Sequence, residues 1–113
     1  MDFITVNLKD NMPPVDIALC NMELEIEVGK ISGIKAIKFI HGYGSSGVGG
    51  VICKAVRERL FSLKKQRIIS DYIFGENWNL QNPKCFKLLT KLSSGYDGED
   101  LNNCNGGMTI VFL

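Results

Sequence analysis

Several features are scarce in this chain, and each scarcity excludes something. His41 is the only histidine, and the four cysteines, Cys20, Cys53, Cys85 and Cys104, stand far apart with no Cys-x-x-Cys pair, so a zinc site is not expected. No apolar run approaches the roughly 20 residues that a membrane span requires. Met1-Asp2-Phe3-Ile4 has neither the basic start nor the small-residue cleavage site of a secretory signal. A cytoplasmic protein with reduced cysteines and no membrane partner is the expectation. Excess charge is missing too, since the formal net charge is only +1. The charge is unevenly placed, however. Between Asp16 and Glu27 every charged residue is acidic, while Lys54, Arg57, Arg59, Lys64, Lys65 and Arg67 surround a single Glu58. Local patches rather than net charge decide where a polyanion docks, although two such helix faces could also simply attract each other.

What the chain does contain is a run from Ile37 to Lys65 that reads as strand, glycine loop and helix. The apolar segment ends at His41, and Gly42, Gly44, Gly47, Gly49 and Gly50 follow. Glycines allow positive φ and close approach of a ligand backbone, and the helix behind them offers unpaired N–H groups, a combination that favours an anion such as phosphate. A mononucleotide P-loop would need Lys followed by Ser or Thr at the helix start, where Gly49-Gly50-Val51-Ile52 stand instead. A dinucleotide fingerprint fails because the glycines follow a second strand without the acidic partner. His41, with an ordinary pKa of about 6.5, is the candidate for moving protons at this loop; alternatively it fixes the loop by hydrogen bonds.

Taken in order, Phe3–Leu8 alternates as a first strand, and Pro13 or Pro14 opens a helix to about Gly29 with Val15, Ala18, Leu19, Met22 and Ile26 inward. Ile34–Ile40 reads as an interior strand, 49–65 as a helix burying Ile52, Ala55, Val56, Leu60 and Leu63, and Arg67–Phe74 as a third strand. Right-handed crossovers make these three strands parallel. A short helix over Asn82–Leu92 is capped by Asn82 and places Lys84, Lys87 and Lys91 on one face; a turn-rich stretch then leads to a closing strand from Met108.

His41-Gly42-Tyr43-Gly44 after Ile37-Lys38-Phe39-Ile40, the helical Ala55-Val56-Arg57-Glu58-Arg59-Leu60, and the closing Gly106-Gly107-Met108-Thr109-Ile110-Val111 together resemble the Smr (small MutS-related) domain. Ala18, Gly33 and Ile34 also fall where that family's first helix and turn would place them. The resemblance spans Phe3 to Leu113 as a single domain, 1–113, in which 75–107 is an enlarged loop. It implies an α/β fold, a two-layer α+β sandwich in βαβαββ order with a mixed four-stranded sheet, similar to the C-terminal domain of translation initiation factor 3. A short extra helix would precede the last strand.

The same resemblance implies binding to DNA or RNA, with some members linked to nicking DNA or cleaving RNA, including mRNA on stalled ribosomes. His41 would then be the catalytic acid or base, with Lys9, Gly42, Tyr43, Gly44, Ser45, Ser46, Gly47, Lys54 and Arg57 holding the nucleic acid. RNA is the easier substrate because its 2′-hydroxyl can attack; DNA hydrolysis would call for an activated water, usually on Mg or Mn, and no carboxylate cluster stands out. The family's Leu-Asp-Leu-His-Gly motif would fall on Val6-Asn7-Leu8-Lys9-Asp10, where Asn7 replaces the Asp and Lys9 the His. Asn7 can orient an imidazole but cannot stabilise an imidazolium by charge. Two nucleic-acid readings therefore stand, an endonuclease and a non-catalytic nucleic-acid or ribosome-binding module, beside a third, an enzyme on a small phosphorylated metabolite. Tyr43 and Trp78 are candidates for stacking on unpaired bases, and Trp78 equally for the core.

Overall fold

The computed structural model describes residues 2–42, 49–92 and 100–113. Four strands, β1 (Phe3–Asn7), β2 (Ala36–Ile40), β3 (Asp71–Phe74) and β4 (Met108–Phe112), form one sheet in the order β1-β2-β4-β3. β1 pairs parallel to β2, with Asn7 opposite Ile40, and β4 runs antiparallel to both β2 and β3. The first three strands therefore point the same way, as the crossover rule requires, and the chain's last strand is inserted between the second and third.

Helices α1 (Val15–Ile31) and α2 (Gly49–Lys65) cover one face, where Ala18, Met22, Ile26, Val56 and Leu60 meet Ile37, Phe39 and Val111. Both helices end in a left-handed residue followed by a six-to-one hydrogen bond. After α1 that residue is Gly33 (φ 78°), with Ile34 N–H donating to the Gly29 carbonyl at 2.9 Å. After α2 it is Arg67 (φ 63°), with Ile68 N–H donating to the Leu63 carbonyl at 3.0 Å. Arg67 is thus a helix stop rather than the start of a strand, and β3 begins only at Asp71.

The 75–107 segment is more than an enlarged loop. A 3-10 turn at Gly75–Asn77 and helix α3 (Pro83–Leu89) lie against the second face, where Trp78, Cys85, Leu88 and Leu92 pack on Phe3, Ala36, Ile73, Met108, Ile110 and Phe112. The expected cap is present, Asn82 Oδ1 accepting from Lys84 N–H at 2.9 Å. Trp78 is fully buried, so it belongs to the core and offers no ring to a base. Gly75 is obligatory by close approach: a Cβ there would lie 1.9 Å from the Asn105 carbonyl oxygen.

Candidate nucleic-acid interface

The carboxyl ends of β1, β2 and β3 and the start of β4 share one end of the sheet, and the sequence-picked residues gather there. His41 follows β2 directly, and its N–H and that of Gly42 both donate to the Gly107 carbonyl, at 2.9 and 3.0 Å. Its ring is 0% exposed. Nδ1 lies 2.7 Å from the Gly42 carbonyl oxygen and Nε2 2.8 Å from Thr109 Oγ1. A carbonyl only accepts, so Nδ1 carries the proton and Nε2 accepts from the Thr109 hydroxyl. That hydroxyl accepts in turn from Arg57 Nε–H at 3.2 Å. Burial, opposed by the Gly42 hydrogen bond and aided by the Arg57 charge, lowers the His41 pKa to about 4. The imidazole is neutral at pH 7, with both nitrogens occupied.

Arg57 spends its remaining donors inside the protein. Nη1 and Nη2 form a two-point pair with Glu76 at 2.9 and 2.7 Å, Nη2 also reaches the Gly106 and Met108 carbonyls, and the guanidinium stacks 4.0 Å above the Phe74 ring. That bond from Arg57 holds the Glu76 carboxyl below its ordinary value. Arg57, expected on a phosphate, makes internal contacts that brace His41, β4 and the turn after β3 to one another. Asn7 likewise does not touch His41; its Oδ1 accepts from Lys9 N–H at 3.0 Å and shapes the turn after β1.

The cations that do face solvent here are Lys9 and Lys54, neither in an ion pair among the described residues. They stand on opposite sides of the sheet end, Lys9 after edge strand β1 and Lys54 on α2 above the β3 edge. Four strands put about 14 Å between those edges. Beside Lys54 an open groove of about 530 Å³ runs between α2 and β3, with Phe61, Tyr72 and Phe74 as its aromatic lining. Cys53 also lines it, and burial pushes its thiol up, away from a reactive thiolate. Of the other basic residues, Lys64 and Lys84 both pair with Asp71, at 3.0 and 2.9 Å, and Arg59 pairs with Glu23 of α1. The attraction between an acidic and a basic helix is thus one real contact.

Tyr43, Gly44, Ser45, Ser46 and Gly47 lie outside the described residues. Gly42, the described part of the loop, has φ 75°, a conformation that suits glycine. A resident Mg or Mn does not fit the described donors: both oxygens of Glu76 are taken by Arg57, and no group of three His, Cys, Asp or Glu side chains comes together. Among the described residues no helix is long and apolar enough to cross a membrane.

No protein-family profile and no curated protein matches the sequence. Among solved structures, the crystal structure of the Smr domain of Thermus thermophilus MutS2 superimposes with a TM-score of 0.57 at 18% identity, covering 100% of this chain and 98% of that one. The chain has an Smr-like fold. At that identity the likeness concerns the Smr-like architecture alone, and it includes the mixed four-stranded sheet that carries the residues described above. Sequence reasoning missed Thr109, Glu76, Tyr72 and Phe74. Thr109 was the findable one, since it is the one hydroxyl-bearing residue within an otherwise apolar closing strand.

Proposed function

We propose that this Smr-like domain binds nucleic acid across the carboxyl end of its sheet, with Lys9 and Lys54 on the phosphates and His41 as a positioning residue that holds the turn at Gly42. The observation that carries the reading is the division of labour among the cations. Arg57 is consumed by Glu76, Thr109 and two carbonyls, whereas Lys9 and Lys54 are exposed at the same end of the sheet. The Smr resemblance supplies the ligand class, and the aromatic groove beside Lys54 suits bases more than a small metabolite.

Cleavage of RNA or DNA with His41 as acid or base is the second reading, favoured by the strand-end position of the only imidazole. It requires the ring to exchange Thr109 or the Gly42 carbonyl for substrate. The experiment that separates the two incubates the purified chain with end-labelled single-stranded RNA and with supercoiled plasmid, with and without Mg or Mn, alongside Lys54→Ala and His41→Ala. The binding reading expects a complex that weakens with salt, no cleavage, and a log K against log salt slope about one unit smaller in Lys54→Ala. Site-limited cleavage that disappears in His41→Ala would establish the nuclease instead, and absence of any complex would overturn both.

A further inference from the structure

Helix α1 carries two apolar stripes. Ala18, Met22, Ile26 and Gly29 are buried on the sheet. At 100° per residue, Ile17, Cys20, Leu24, Val28 and Ile31 fall on the opposite side, spaced three or four residues apart. All five are exposed, Leu24 at 58% and Ile31 at 86%. An ordinary surface helix keeps that side polar, and a continuous seam of this kind marks a docking face. The seam borders a groove of about 600 Å³, which α1 forms with Arg59, Leu63 and Ile68.

The charges beside the seam decide what can lie on it. Asp16, Glu23 and Glu27 follow one flank and Glu25 the other. Glu23 is engaged by Arg59, while Asp16, Glu25 and Glu27 have no ion-pair partner among the described residues. A second copy of the chain would bring the same carboxylates against these and be repelled. A nucleic acid would be repelled more strongly. We propose that this face binds a basic amphipathic helix of another protein, its apolar side chains packed along Ile17, Leu24, Val28 and Ile31 and its Lys or Arg side chains reaching Asp16, Glu25 and Glu27. The face lies on α1's outer side, so a bound helix leaves the sheet end open. The proposal does not depend on the nucleic-acid reading.

The test uses fluorescent 18-residue peptides with Leu at helical spacing and either Lys or Glu elsewhere, titrated with the full chain and followed by anisotropy, next to sedimentation of the chain alone. The Lys peptide is expected to bind at least tenfold more tightly than the Glu peptide. Leu24→Ser with Val28→Ser, and separately Asp16→Lys with Glu27→Lys, should each weaken it at least tenfold while melting temperature and circular dichroism stay as in the parent. Equal binding of the two peptides, no binding, or indifference to both pairs of substitutions would overturn the proposal. So would a dimer in sedimentation that Leu24→Ser dissociates, which would assign the seam to a second copy.

Discussion

On the face covered by α1 and α2 the sheet presents Ile37, Phe39 and Val111 to an aliphatic core, whereas on the opposite face Ala36 and Ile110 share their layer with Trp78 and a buried lysine. That lysine, Lys38, pairs with Asp100 at 2.6 Å and ties the far end of the 75–107 segment to the middle of the sheet. A buried basic side chain on each face is handled in opposite ways. His41 is kept neutral inside a hydrogen-bond chain, and Lys38 is held as half of an ion pair. A neutral group suits a place where hydrogen bonds must fix geometry. A buried pair adds little net stability but makes the loss of either partner costly, so it suits an attachment point.

The largest test of this contrast is Trp78→Ala. If the 75–107 segment is an integral layer, emptying the Trp78 site costs about 4 kcal/mol, read from chemical denaturation, and both faces unfold in one transition. A loss below about 1 kcal/mol would make that segment a dispensable cover. Next comes Asp100→Asn, which takes the Asp100 charge away from the buried Lys38 ammonium and should cost up to about 3 kcal/mol. Pairing it with Lys38→Met should recover much of that loss, since the charge is then gone.

The third test is pH. Between pH 6.5 and about 4 the unfolded chain holds a proton on His41 that the folded chain does not, so stability is fully present above 6.5 and falls on acidification through that window. The drop attributable to His41 approaches about 3 kcal/mol. A His41→Gln variant should show a flatter profile between pH 7 and 5. Glu76, held low by Arg57, gives up its stabilisation only further down.

The helix face was legible in the sequence because its signals are local: the 3.6-residue spacing of Ala18, Met22 and Ile26, the Gly33 stop, and the strand-to-glycine handover at His41. The opposite face was legible only in part: the short helix capped by Asn82 was expected, and Trp78 stood between the core and base stacking. Trp78, Cys85 and Leu88 come from a segment whose abundant turn residues hide the fact that its few apolar side chains all land on one surface. Nothing near Lys38 in sequence announces Asp100, 62 positions away. The partners of Arg57 were hidden for the same reason. Its helical face shows that it points toward the sheet end, but only the fold brings Glu76 and Thr109 to meet it. The apolar seam between the carboxylates of α1 became visible only once the sheet showed which stripe was already used.

The central question at the sheet end is whether His41 is a brace that acts through its neighbours or a proton carrier open to substrate. Nitrogen-15 NMR of the His41 imidazole, followed from pH 8 to pH 4, reads this directly. The prediction is an Nδ1-protonated, Nε2-unprotonated neutral ring throughout the range above pH 5, with a midpoint near 4. A midpoint near 6.5, or the proton on Nε2, would show a ring free of Thr109 and Gly42 and would contradict the account.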